Sequence, residues 1–283
     1  MITVLEAIKL STEYLEKKDV ESPRMNAEIL LAEILKCKRL ELYLAFDKPI
    51  NEVELNQYRE FIRKRGLRVP LQYIVGNVDF FGLKLNVNES VLIPRPETEI
   101  LVEKIIEENS AKENLSILDI GVGSGNISIA LRKNLVNSKV VGIDISEKSL
   151  EVAKTNAELN ETKSNIDFIS FDFMKDKISK LGKFDIIVSN PPYVSLNDYQ
   201  NLEPELKVHE PRQALTDDSD GLSFYKKIID SASELLNPNG KIYFEIGKDQ
   251  HQQVMKMMQD NFTIVKSYKD YSGIERIIFG ELK

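Results

Sequence analysis

The chain has 283 residues, 42% of them in the hydrophobic set and 29% charged, enough for one large domain plus a smaller one and inconsistent with disordered, collagenous or coiled-coil architectures. Lysine and arginine number 38 against 45 aspartates and glutamates, and the formal charge of -7 argues against binding nucleic acid mainly by blanketing phosphates, although a local basic patch stays open. One cysteine, Cys37, and two scattered histidines, His209 and His251, exclude an intramolecular disulfide and a cysteine-built zinc site, so no metal is expected.

The opening segment, MITVLEAIKLSTEYLEKK, carries acidic residues and no uninterrupted apolar run, so neither a secretory signal nor a transit peptide is read there. No stretch reaches the roughly 18 apolar residues of a membrane span. The expectation is a cytoplasmic protein in a reducing compartment.

Leu5, Ile8 and Leu15, then Ile29, Leu30, Ile34 and Leu35, recur at helical spacing. Thr3 with Glu6 and Asn51 with Glu54 have capping-box spacing, Ser22 before Pro23 reads as a cap with proline at the first helical position, and Gly66 ends the last helix. Residues 1–68 therefore read as a domain of about four helices, either a substrate-docking unit or a stabilising appendage. Over residues 69–93 the runs LQYIVG and NVDFFGLKLNV, broken at Gly76-Asn77 and Gly82, predict a β-hairpin joining two domains.

Residues 94–283 form the second domain. Thr98 to Glu108 reads as a helix, and strands are predicted at Ser116–Ile120, Lys139–Ile143, Ile166–Ser170, Phe184–Ser189 and Lys241–Glu245, short apolar runs suited to a parallel sheet buried on both faces. Two further strands, near Thr263–Ser267 and Glu275–Phe279, are expected as an antiparallel pair at one sheet edge. The fold class is α/β.

Three stretches at strand ends carry the chemistry. Asp119-Ile-Gly121-Val122-Gly123-Ser124-Gly125 leaves one strand and opens a helix at Asn126, where glycines let the chain turn sharply and a ligand approach bare backbone. Their alternate spacing differs from the dinucleotide register G-x-G-x-x-G and favours another nucleoside cofactor, with a ligand-free turn as the competing reading. Asp144 ends the next strand and is placed to accept from ribose hydroxyls, or merely to cap the helix starting near Ser146. Asp172 and Phe173 follow the third strand and could hold an adenine amino group and ring, although such a loop pair is commonplace.

The sharpest signal is Asn190-Pro191-Pro192-Tyr193, directly after FDIIVS. Successive prolines fix the backbone, so the Asn190 side chain and the Pro191 carbonyl are held at the strand end as two acceptors for one planar NH2 group. An amide or aromatic amine is the fitting substrate, because its delocalised lone pair makes it a poor nucleophile that must be oriented before it reacts. Tyr193 could stack on that planar group.

DIGVGSG, the aspartate of GIDIS and NPPY together resemble a class I S-adenosylmethionine-dependent methyltransferase. That resemblance implies a Rossmann-like seven-stranded sheet with an antiparallel last strand. PLQYIVGNVDFFGLKLNV, VLIPRPETE (Val91 to Glu99) and EPRQALTDDSDGLSFY (Glu210 to Tyr225), with the helical first domain, resemble the peptide chain release factor N5-glutamine methyltransferases (HemK/PrmC family) over essentially the whole chain. The resemblance implies that Gly121 to Gly125 contact the methionine moiety of the cofactor, that Asp144 binds its ribose, that Phe173 lies against adenine, and that Asn190 to Tyr193 bind the substrate glutamine amide. The cofactor-binding set is then Asp119, Gly121, Val122, Gly123, Ser124, Gly125, Asp144, Asp172, Phe173 and Asn190. Asn190, Pro191 and Tyr193 are the catalytic set, and Asn190, Pro191, Pro192 and Tyr193 the substrate-binding set. Val122 stands where threonine is commoner and Phe173 where tryptophan is frequent, changes expected to touch cofactor affinity and not the reaction. The IPRPETE segment reads as a polar rim or as ordinary helix capping.

The implied reaction is methylation of the glutamine N5 in the Gly-Gly-Gln loop of a release factor, by a monomer that binds neither nucleic acid nor membrane. The rivals are a glutamine methyltransferase of a large-subunit ribosomal protein, a DNA or RNA adenine methyltransferase in which Tyr193 stacks on a flipped base, and a ribosome-associated binding module without activity.

Overall fold

The computed structural model describes residues 2–283, and the chain divides into two compact units, Met1–Gly76 with Glu203–His209, and Asn77–Leu202 with Glu210–Lys283. The first unit holds helices α1 (Val4–Glu16), α2 (Pro23–Leu35), α3 (Glu52–Gly66) and α4 (Leu71–Val75), with a 3-10 segment at Arg39–Leu44. Both predicted capping boxes form, Thr3 with Glu6 and Asn51 with Glu54, each satisfying two otherwise orphaned backbone donors. Ser22 does not cap α2: it takes a left-handed conformation with no side-chain bond, and Asn26 instead donates back to the Glu21 and Ser22 carbonyls. Ile8, Leu15, Leu30, Leu31, Tyr58 and Ile62 close the core of this unit.

Two sequence readings change here. Leu71–Val75 is helical rather than extended, because Pro70 starts it, Gly76 ends it in the left-handed region (φ 83), and Leu71, Ile74 and Val75 pack on the helical core. The segment Glu203–His209, far along the chain, belongs with the helices. Glu205 pairs there with Arg65 at 3.0 Å and Arg68 at 2.6 Å. Burial pushes the Glu205 carboxyl up, but the Arg68 guanidinium, a backbone N–H and the Arg65 guanidinium together more than offset this and hold it below its ordinary value.

The second unit begins with an antiparallel hairpin, β1 (Asn77–Phe80) and β2 (Leu83–Asn86), followed by α5 (Pro96–Asn109), β3 (Ser116–Ile120), α6 (Asn126–Asn134), β4 (Lys139–Asp144), α7 (Glu147–Leu159), β5 (Ile166–Ser170) and β6 (Phe184–Ser189). Short helices α8 (Leu196–Tyr199) and α9 (Arg212–Leu215) precede α10 (Ser223–Leu235), β7 (Leu236–Glu245), α11 (His251–Met258), β8 (Phe262–Lys269) and β9 (Glu275–Leu282). Among the described residues the main sheet has seven strands in the order β5-β4-β3-β6-β7-β9-β8. β9, the last in sequence, runs antiparallel between β7 and β8.

Alternation along the strands sends Ile117, Val140, Ile186 and Val188 to one core, with α5, α6, α7 and the hairpin, and Leu118, Ile143, Ile187 and Phe244 to the other, with α10 and α11. From β3 the chain winds outward through β4 to β5, then crosses back to β6 on the other side of β3. Such a reversal opens a crevice at the carboxyl ends of the central strands, where an open α/β sheet binds its ligands.

Candidate active site

One cleft of about 830 Å³, counted to its open mouth, lies at that reversal. Its walls include Gly121 and Gly123 after β3, Asp144 after β4, Asp172 and Phe173 after β5, and Asn190, Pro191 and Pro192 after β6. Asp119, Val122, Ser124, Gly125 and Tyr193, also singled out from the sequence, are not on that wall.

The glycine turn divides by function. Gly121 (φ 82) and Gly123 (φ 55) take left-handed backbone, and a β-carbon on either would meet nothing within 4 Å, so both leave room on the cleft side. Gly125 also has positive φ, yet a β-carbon there would lie 3.1 Å from Ala153 and Ile129, so its role is close packing of α6 on α7. Val122 points inward over Gly142 of β4, where a β-carbon would sit 2.6 Å from Val122 Cγ2. The valine in place of threonine is thus a packing choice, made against the sheet. Ser124 is buried, and its carbonyl accepts from Asn156 Nδ2 at 2.9 Å. The same amide exchanges hydrogen bonds with the backbone of Asn86, tying the turn to the hairpin.

Asp144 braces the turn as well as facing the cleft. Its Oδ2 accepts from the Gly123 N–H and its Oδ1 from the Ser146 N–H, both at 2.9 Å, and Ser146 itself caps α7. Burial raises the Asp144 carboxyl above its ordinary value, against the pull of these bonds. Asp119 is fully buried; its Oδ2 accepts from the Ser128 N–H and hydroxyl at the start of α6, while Oδ1 has no donor among the described residues. Burial pushes its carboxyl up to about 7. Phe173, 4% exposed, lines the cleft from the second core, and Asp172 accepts from the Met174 N–H in the same loop.

Asn190 is held from behind. Its Nδ2 donates to Thr98 Oγ1 at 3.3 Å, and the Thr98 hydroxyl donates to Glu245 Oε2 at 2.6 Å. Neither Asn190 Oδ1 nor the Pro191 carbonyl has a hydrogen-bond donor among the described residues. Two acceptors at one strand end are therefore open. Tyr193 packs against the second core, where burial pushes its hydroxyl up to about 12. Its carbonyl accepts from Gln250 Nε2 at 2.9 Å, and Gln250 also holds the Gly221 carbonyl and the Gly247 N–H.

Sequence reasoning missed Thr98, Glu245, Gln250 and the Arg95–Glu210 ion pair. Arg95 and Thr98 lie inside IPRPETE, so that segment is an internal brace: Thr98 is 1% exposed, and Arg95 reaches the buried Glu210. Across from it the Glu210 to Tyr225 stretch wraps the Asn-Pro-Pro-Tyr loop. Val194 donates to the Leu215 carbonyl and Leu196 to that of Ser219, while Asp217 gathers the N–H groups of Ser219, Gly221 and Ser223.

This geometry can be set beside known proteins. A release factor glutamine methyltransferase of Fusobacterium nucleatum is 44% identical over 279 residues, 98% of this chain and 78% of that protein. One from Geobacter sulfurreducens is 39% identical over 283 residues, 99% of this chain and 97% of that one. The chain belongs to the release factor glutamine methyltransferase family. Family models agree by region, the PrmC N-terminal domain matching residues 6–76 and a methyltransferase domain matching residues 111–278. A solved methyltransferase from Pyrococcus furiosus, 20% identical, shares the fold with a TM-score of 0.52 over 71% of this chain and 90% of that one.

Proposed function

We propose that this methyltransferase moves the methyl group of S-adenosyl-L-methionine to the side-chain amide nitrogen, N5, of the glutamine in the Gly-Gly-Gln loop of a peptide chain release factor. The observation that carries the reading is the pair of open acceptors, Asn190 Oδ1 and the Pro191 carbonyl, in the same cleft as the open faces of Gly121 and Gly123. The names of the relatives supply the substrate class.

The residues present fit that cofactor. Gly121 and Gly123 leave bare backbone for its methionine part, each Asp144 oxygen keeps a lone pair for a ribose hydroxyl, and Phe173 offers an apolar face for adenine. The orphaned Asp119 Oδ1 is an acceptor that a nearby cationic amino group would satisfy. When bound, the cofactor supplies a methyl group on a sulfonium, with a neutral thioether as leaving group. Asn190 and Pro191 accept the two amide N–H bonds, orient the nitrogen and strip it of water. Those N–H groups grow more acidic as the C–N bond forms, so both acceptors bind the transition state more tightly than the ground state. The methylated nitrogen, cationic once the C–N bond has formed, then loses one proton to solvent water, and the product keeps a single N–H. The helical unit, with Leu40 71% and Leu44 88% exposed, is the part we assign to holding the protein partner.

Labelled S-adenosylmethionine incubated with a release factor, with the same factor carrying alanine for the loop glutamine, and with duplex DNA tests the reading. Label on the unmodified factor alone is expected. Label on the alanine factor or on DNA overturns it.

A further inference from the structure

Behind Asn190 lies a buried polar pair that the reaction as described does not use. Thr98 on α5 and Glu245 at the end of β7 are 1% and 2% exposed; Thr98 accepts from the Asn190 amide, Glu245 also acts on that amide, and neither lines the cleft. An asparagine presents an acceptor or a donor to its substrate according to which way its amide is turned. Only the orientation with Oδ1 toward the cleft accepts a substrate N–H; the reversed one would set a donor against a donor.

We propose that Thr98 and Glu245 are positioning residues that lock this orientation. Glu245 accepts the hydrogen bond of the Thr98 hydroxyl, so Thr98 Oγ1 turns only lone pairs toward Asn190 and accepts from Nδ2. The hydroxyl has a single proton, and while it is donated to the carboxylate nothing remains to donate to a reversed Oδ1. Should the carboxyl be protonated, its O–H can donate to Thr98, the threonine proton is freed to donate to Asn190, and the amide can be held either way round. The inference rests on the reading of Asn190 as the acceptor of the substrate amide.

The surroundings make this switch responsive near neutrality. Burial pushes the Glu245 carboxyl up to about 7, Glu97 on α5 adds to the rise, and the Thr98 hydroxyl, Arg276 on β9 and the Asn190 amide pull it down. Tyr193 after β6 and Tyr225 on α10 also face it, Tyr225 through a 2.8 Å bond from its hydroxyl to the Glu245 carbonyl. Burial raises both phenols, so they stay neutral through this range. Glu245 is therefore ionised, and the lock closed, as pH rises through about 7.

Single-turnover transfer to a release factor at saturating S-adenosylmethionine tests the lock in Thr98→Val, Thr98→Ser, Glu245→Gln and Asn190→Ala, with the cofactor Kd measured alongside. Thr98→Val should slow transfer about tenfold, the scale of one lost buried hydrogen bond, with the Kd unchanged, and Thr98→Ser should restore it. The wild-type rate should fall on the acid side with a midpoint near 7, and that limb should vanish in Glu245→Gln. In Glu97→Gln the limb should shift to lower pH, since a neighbouring negative charge is gone. A wild-type rate in Thr98→Val, or equal losses in Thr98→Val and Thr98→Ser, overturns the lock while the inactivity of Asn190→Ala leaves the functional reading intact. An active Asn190→Ala overturns that reading and the lock with it. Should Thr98→Val not fold, an acid limb retained in Glu245→Gln is the contradicting result.

Discussion

The two lips of the cleft stand on neighbouring strands of one sheet and are built in opposite ways. The lip after β3 presents bare backbone at its left-handed glycines, steadied by the Asp144 carboxylate on the Gly123 N–H and the Asn156 amide on the Ser124 carbonyl. The lip after β6 is held by side chains sent from elsewhere, Thr98 and Glu245 behind Asn190 and Gln250 beneath Tyr193. A bare backbone lip suits a ligand that must approach closely, whereas a braced side-chain lip suits an acceptor that must hold a fixed direction. Affinity for the cofactor should therefore reside in the first lip and rate in the second.

The largest expected effect is at the second lip. Asn190→Ala should lower turnover by about a hundredfold or more, the scale seen when one preorganised transition-state contact is removed, with the cofactor Kd within a few-fold by calorimetry. Asp144→Ala should instead weaken cofactor binding by about 1–3 kcal/mol, because the ribose acceptor is lost and the Gly123 N–H is left unpaired. Rate at saturating cofactor should change little, and a calorimetric titration beside a single-turnover assay separates the two constants. Gln250→Ala removes the donor from the Tyr193 and Gly221 carbonyls, so a smaller loss of rate, about tenfold or less, is expected without change in Kd.

The smallest effect concerns pH. Asp119 has a native value of about 7 against 3.8 for a free side chain, so the native state binds the extra proton between these values. Its contribution to stability is fully present below about 4 and is lost as pH rises through about 7. The cofactor-free melting temperature should thus fall by a few degrees between pH 5 and pH 8, and fall less in Asp119→Asn. Glu245, pushed up to about 7 in the same direction, stays in both proteins and keeps the fall from vanishing in the variant.

The same contrast explains what could be read from the chain. The first lip is local: glycines, a strand and an aspartate some 21 residues on are linked by a hydrogen bond of short range in sequence, and a motif captures them. Asn190 was legible because two prolines beside it fix its backbone. Its support was not. Thr98 stands 92 residues from Asn190 and 147 from Glu245, and nothing in IPRPETE announces which buried group its threonine will meet. Leu71–Val75 was ambiguous for a different reason, since five apolar residues satisfy either period and only the flanking Pro70 and Gly76 with packing on the helical core decide. Glu203–His209 carried no local sign that its Glu205 would be claimed by Arg65 and Arg68.

A double-mutant cycle across the cleft tests the division most directly, with the cofactor Kd and the single-turnover rate at saturating cofactor measured for wild type, Asp144→Ala, Asn190→Ala and the double variant on one release factor. Each single change should move only its own constant, and the double variant should show the sum of the two. A rate lost in Asp144→Ala at saturation, or a Kd weakened equally in Asn190→Ala, would contradict it.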